Sequence, residues 1–198
     1  MSMTTRHLDL GCGSSPRNPY SRDELHGVDI QALTTKAGCE IRQANLALQP
    51  IPYPDSHFDS VSAYDFFEHV PRVLPTADFT ATRFPFIELM DEIWRVLSPN
   101  GLLYAYTPAY PHAMAFQDPT HVNIITRNTH EYFTEPQLTG RMYGFKGRFA
   151  VVRVVPALSA EHAYEPTEPP GWYQRYRLRR RERRRENSHL AWELKALK

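Results

Sequence analysis

The sequence is poor in cysteine: Cys12 and Cys39 are the two thiols in 198 residues. Two thiols cannot make a disulfide framework, so the fold must stand on its core, and a reducing cytoplasm is the expected setting. No apolar run approaches the ~20 residues of a spanning helix, which excludes a helical membrane protein. Residues Met1 to His7 lack the apolar stretch of a secretory signal. Glycine is scarce, 9 against 17 prolines, the reverse of ordinary usage. No internal repeat is visible, which argues against solenoids and propellers. Net charge is nearly absent as well, with 23 Lys and Arg against 22 Asp and Glu. The balance hides an asymmetry: eight Arg and two Glu fall within 172–187, a local +6 on a chain of net +1.

What is present reads as alternating strands and helices with short connections, the sign of an α/β sheet. Strands are expected over 7–10, 27–30, 39–43, 58–63 and 102–106, with one or two more in 144–155. Phe86, Ile87, Leu89, Met90, Ile93, Trp94 and Leu97 recur at helical spacing, which predicts an amphipathic helix over 85–97. Ser98-Pro99-Asn100-Gly101 stops it with turn residues. A short helix is expected over 127–133. The organisation predicted is one α/β domain over 1–160 and an Arg-rich, helical extension over 161–198.

The first strand runs through Asp9 and Leu10 into Gly11-Cys12-Gly13. A dinucleotide-binding turn would need a third glycine at position 16, under the pyrophosphate. Pro16 stands there, and Pro19 follows. A nicotinamide dehydrogenase is therefore disfavoured, and a ligand without a pyrophosphate fits better. Asp29 ends the second strand, where a carboxylate can accept both hydroxyl hydrogens of a ribose. The competing reading is a tight turn with Asp29 capping a helix.

With the rest of the chain added, the sequence resembles the class I S-adenosylmethionine-dependent methyltransferases. The matching segments are Leu8 to Gly13, Gly27-Val28-Asp29-Ile30, Asn45-Leu46, Ile51 to Asp59, Phe67-Glu68-His69-Val70 and Leu89 to Gly101. They fall in the family's order across 8–107. The resemblance implies a Rossmann-like, seven-stranded, mostly parallel sheet with helices on both faces, shortened at its N-terminus. It implies S-adenosyl-L-methionine as cofactor, bound across the strand carboxyl ends. Carried over residue by residue, the turn Leu10, Gly11, Cys12 and Gly13 borders the methionine and ribose portions, and Asp9 lies under the amino end. Asp29 holds the ribose hydroxyls, Ile30 packs on adenine, and Asn45 and Leu46 face the adenine edge. Ala63, Tyr64 and Asp65 line the methionine side. Three departures stand out: Asn45 replaces a common acidic residue, the glycine turn is short, and no helix precedes the first strand.

Methyl transfer needs an aligned acceptor and sometimes a proton acceptor. Two segments above the strand ends offer polar groups. His69, in Tyr64-Asp65-Phe66-Phe67-Glu68-His69, is a candidate base or acceptor ligand. The loop 108–125 carries Asp118-Pro119-Thr120-His121-Val122-Asn123, a stretch that also resembles a small bacterial and phage-associated subgroup. His121 is the expected general base or acceptor-binding residue, with Asp118 orienting it. Each of these groups also has a purely structural reading, as a local hydrogen-bond partner. A metal held by His112, Asp118 and His121 is the competing reading there, and no metal is expected. The segment 71–85 is a candidate lid.

These residues predict an enzyme methylating oxygen or nitrogen of a small-molecule or saccharide-type acceptor. Two alternatives remain: an RNA methyltransferase using the basic C-terminal segment, or a non-catalytic cofactor-binding subunit. Arg with interleaved Tyr173 and Tyr176 is compatible with nucleic acid, although a solvated, partly paired helix is favoured. Leu190, Leu194 and Leu197 are expected to anchor the chain end to the fold or to a second copy in a homodimer.

Overall fold

The structure is a computed structural model that describes residues 4–33, 39–157, 171–173, 176, 177, 180 and 187–198. Its frame is a seven-stranded sheet. In chain order the sheet strands are β1 (Arg6–Leu10), β2 (Glu24–Asp29), β3 (Glu40–Gln43), β4 (Phe58–Tyr64), β7 (Leu97–Pro108), β8 (Phe149–Ala157) and β9 (His189–Ala196). Between β4 and β7 lie a two-stranded hairpin, β5 (Leu74–Pro75) and β6 (Thr82–Arg83), and the helix α1 (Pro85–Val96). The sheet order is β3-β2-β1-β4-β7-β9-β8. The first five strands pair in parallel, and β9 runs antiparallel to both β7 and β8. The order reverses between β1 and β4, which puts the switch point of this open sheet at the carboxyl ends of those two strands.

Helix α1 forms where the apolar spacing predicts it. Pro85 occupies its first turn, a position that needs no N–H donor. Phe86, Leu89, Met90, Ile93 and Val96 are buried along one face. Among the described residues α1 is the α-helix that spans a sheet crossover, so the expected helices on both faces are thinned to one. Pro16 and Pro19 in the β1–β2 connection account for part of this, since proline breaks a helix beyond its first turn. Residues 127–133 form a short 3-10 turn, Thr129–Tyr132, rather than an α-helix.

The C-terminal segment departs most from expectation. Residues 189–196 are not a helical extension. They are β9, inserted between β7 and β8, with Leu190, Trp192, Leu194 and Ala196 buried. Trp192 is fully buried, and Trp94 of α1 donates from Nε1 to the Leu197 carbonyl at 3.1 Å. Tyr20 donates to Glu193 at 2.9 Å, and Arg153 pairs with Glu193 at 3.2 Å. A domain ending at 160 would lack the strand that joins β7 to β8, so the boundary cannot stand there. The Arg-rich run lies mostly outside the described residues. Among those described, Trp172, Tyr173, Tyr176, Arg177 and Arg180 are helical and exposed.

Candidate active site

A ladder of polar side chains supports the glycine turn from below. Ser62 donates to Asp9 at 2.6 Å, and His7 bridges Ser60 and Ser62 at 2.8 Å on each ring nitrogen. Because the Ser62 hydroxyl hydrogen goes to Asp9, His7 Nε2 must be the donor to Ser62. Nδ1 then accepts from Ser60, and the ring is neutral. Burial agrees, pushing the His7 pKa down to about 3, with Arg22 adding to the effect. Burial also raises Asp9 to about 6, against the opposing bonds from Ser62 and the Arg17 N–H.

Asp9 accepts from the Arg17 backbone N–H at 2.8 Å. Only 2% exposed, it anchors the 11–17 loop from inside the protein. Leu10 is fully buried and offers no side chain to the surface. Cys12 points inward, and burial raises its thiol to about 12, which makes it inert. The two glycines divide their roles. Gly11 has φ +63°, and a Cβ there would lie 2.6 Å from the Phe66 ring. Gly13 has φ +55°, and a Cβ there would meet nothing within 4 Å. Gly11 is therefore needed for packing, and Gly13 faces open space.

Asp29 lies beside Gly13. Its carboxylate accepts from the N–H groups of Gly13 and Gln31, each at 2.9 Å. A carboxylate has about four acceptor positions, so capacity remains for two hydroxyls. Beside it, Ile30 is 60% exposed, an apolar surface at the sheet end. Asn45 accepts from Ala47 N–H at 3.1 Å and Leu46 is buried, so the Asn45 side chain serves its own turn and Leu46 serves the core. On the β4 side the expectation is corrected in part. Ala63 and Tyr64 are buried in the core, and Asp65 alone of the three reaches the surface. Asp65 sits at φ +47° and contacts His189 Nε2 at 3.1 Å. Arg17, absent from the expected set, lays its guanidinium over the Tyr64 ring at 4.5 Å. The open turn, the free acceptor capacity of Asp29 and the exposed apolar Ile30 together fit an adenosyl group.

A second constellation stands at the carboxyl ends of β4 and β7. Glu68 is 1% exposed. Its Oε2 accepts from Thr107 at 2.9 Å, while Oε1 has no hydrogen-bond partner. His121 Nε2 lies 4.0 Å from that oxygen. The rings of His121 and His69 meet edge to face at 4.9 Å. Burial raises the Glu68 carboxyl to about 7. Its backbone carbonyl accepts from Val122 and Asn123, which pins the 118–123 loop beside it.

His69 and His121 are thus brought together, but Asp118 plays another part. Its carboxylate accepts from the Thr120 hydroxyl at 2.7 Å and the Thr120 N–H at 2.8 Å, and these hold it below the usual carboxylate range. Thr120 in turn contacts His69 Nδ1 at 3.0 Å. Asp118 therefore orients His69 through Thr120, not His121. His112 caps the 113–115 turn, accepting from Met114 N–H, and takes no part in the cluster. Sequence reasoning missed Glu68 as a functional group, although it immediately precedes His69. The candidate lid is the β5–β6 hairpin, which places Phe79 at its tip, 82% exposed. Arg72 at its base bonds Asn123 and the Ile124 carbonyl, linking it to the His121 loop. Two cavities of about 420 and 400 Å3 flank that loop and share Thr126. The second is lined by aromatic groups including Phe84, Phe86, Tyr132 and Tyr143.

Comparison with known proteins agrees with this fold. A methyltransferase-domain family model matches residues 8–105. No curated protein matches the chain in sequence. A Haloferax volcanii structure, described as the complex between the Trm112 methyltransferase activator and a methyltransferase, superposes with TM-score 0.60 at 16% identity, over 98% of this chain and 84% of that one. A SAM-dependent methyltransferase from Archaeoglobus fulgidus gives TM-score 0.56 at 15% identity, over 96% and 86%. The [4+2]-cyclase SpnF gives 0.54 at 15%, over 98% and 74%. At these identities the superpositions show a shared fold. No helix among the described residues is long and apolar enough to cross a membrane. The domain match, the sheet order and the glycine turn make this chain a class I S-adenosylmethionine-dependent methyltransferase.

Proposed function

We propose that the chain methylates oxygen or nitrogen of a small-molecule or saccharide-type acceptor presented to Glu68, His69 and His121. The carrying observation is the buried carboxylate of Glu68 facing His121, in a loop pinned over the ends of β4 and β7. S-adenosylmethionine supplies an electrophilic methyl group when bound. Gly13, Asp29 and Ile30 are the residues to hold its adenosine portion. Arg17, the cation over Tyr64 beside the turn, suits its carboxylate.

His121 is the group to receive the acceptor proton. The Glu68 carboxylate beside it favours the imidazolium that results, as a carboxylate does in general-base pairs. His69, held by Thr120 and Asp118, orients the acceptor. The aromatic cavity beside the loop suits the flat, weakly polar face of a sugar or ring. The β5–β6 hairpin is placed to exclude water from that cavity.

A screen of hydroxyl and amine acceptors for released S-adenosylhomocysteine tests this reading. His121→Ala should lower turnover at least tenfold with cofactor affinity unchanged. A variant that loses cofactor affinity instead would assign His121 a structural role. Cofactor binding with no product from any acceptor would favour the non-catalytic reading.

A further inference from the structure

We infer that Glu68, His69 and His121 form a binding site for one divalent transition-metal ion. Each residue offers one ligand atom, and these atoms lie within 4.8 Å of one another. Two imidazoles and one carboxylate are the donor set of catalytic zinc and ferrous sites, which keep further positions open. Bonds of about 2.1 Å place tetrahedral ligands about 3.4 Å apart, so loading requires the side chains to close by about an ångström. His69 is exposed and has room to move.

Three further observations point to a ligand. Glu68 Oε1 is buried with no hydrogen-bond partner, and a buried carboxylate oxygen left so is costly without compensation. His121 Nε2 faces that oxygen at 4.0 Å, too far for a hydrogen bond. Two of the three ligands also have the outer partners a metal site needs, while His121 Nδ1 has none. Thr107 holds the other oxygen of Glu68. Thr120 donates its hydroxyl hydrogen to Asp118, so it must accept from His69 Nδ1–H. That fixes the tautomer of His69 with its Nε2 lone pair available for a metal.

The consequence for the acceptor rests on the proposed function; ion binding itself does not. A neutral amine on the ion would have its lone pair engaged and could not attack the methyl carbon. A bound hydroxyl loses its proton to solvent water more readily and keeps a nucleophilic lone pair. The ion therefore selects oxygen as the methylated atom. The oxygen–carbon bond forms as the carbon–sulfur bond breaks, and sulfur leaves with the electron pair as a neutral thioether. With the ion in place, His121 serves as a ligand, and Lewis acidity does the work otherwise given to a base.

The test uses the full chain, stripped of metal with a chelator and titrated with Co2+ alone, followed by visible absorption. One saturating equivalent is expected. His69→Ala should weaken binding at least tenfold, and Thr120→Ala about tenfold, through the lost orientation of His69. Both sites are exposed, so the variants should fold, and circular dichroism with S-adenosylmethionine binding confirms that they do. No saturable change in wild type, or equal binding in His69→Ala, overturns the site. Catechol added to the Co2+-loaded protein then probes the open positions. A shifted spectrum supports the oxygen acceptor, and an unchanged one overturns that assignment. Neither step needs methyl transfer, so failure here is distinct from failure of the proposed function.

Discussion

Replacing Glu68 with glutamine should stabilise the metal-free protein, and increasingly so as pH rises. Burial raises the Glu68 carboxyl from an ordinary 4.5 to about 7 in the folded state. The folded chain therefore holds this proton more tightly than the unfolded chain. Its contribution to stability is whole below pH 4.5 and is lost as pH rises through 7. A shift of this size corresponds to at most about 3 kcal/mol, and relaxation around the charge would reduce it to roughly 1–3 kcal/mol. Glutamine keeps the shape and cannot ionise. Urea unfolding of wild type and Glu68→Gln at pH 5 and pH 8, in a chelator, reads the difference. The two proteins should be similar at pH 5, with the variant more stable at pH 8. A difference that does not change with pH would refute the assignment of a buried, uncompensated carboxylate.

Other consequences follow from the same structure. Gly11→Ala meets the Phe66 ring at 2.6 Å in a left-handed backbone, and should cost about 1–3 kcal/mol in thermal or urea unfolding. Gly13→Ala meets open space, so it should cost about 1 kcal/mol and act mainly on cofactor affinity in calorimetry. Trp192→Ala should cost about 3–5 kcal/mol, because the ring is fully buried on a strand paired on both sides. Deleting 187–198 should prevent folding by circular dichroism, whereas replacing arginines within 175–185 by glutamine should leave the fold intact. That second variant, with RNA binding read against salt, is the sound test of the nucleic-acid alternative. Limited proteolysis of 71–85 should slow when cofactor and acceptor are present; unchanged cleavage would remove the hairpin as a lid.

Much of the fold was legible in the sequence because its signals are local. The spacing of Phe86, Leu89, Met90 and Ile93 defines α1, and Asp9 to Gly13 and Asp29 mark the ends of β1 and β2. Strand β9 was obscured by its neighbourhood. The arginine run before it carries helix formers, and the alternation from His189 to Ala196 is short and flanked by charge. Its place between β7 and β8 depends on contacts made far along the chain. The site divides in the same way. Gly13 and Asp29 follow from turn chemistry, but the buried state of Asp9, Ala63 and Tyr64 depends on the sheet packing above them. His69 and His121 stand 52 positions apart, and no local pattern shows that their rings meet beside the Glu68 carboxylate. The link from Asp118 through Thr120 to His69 needed coordinates as well, because hydrogen bonds two residues apart compete with longer ones.

Calorimetric titration of S-adenosylmethionine into wild type and Asp29→Ala tests the central claim most directly. Wild type should bind one equivalent, and the variant should bind at least tenfold more weakly while remaining folded. No heat of binding in folded wild type at millimolar cofactor, or equal affinity in the variant, would contradict the account.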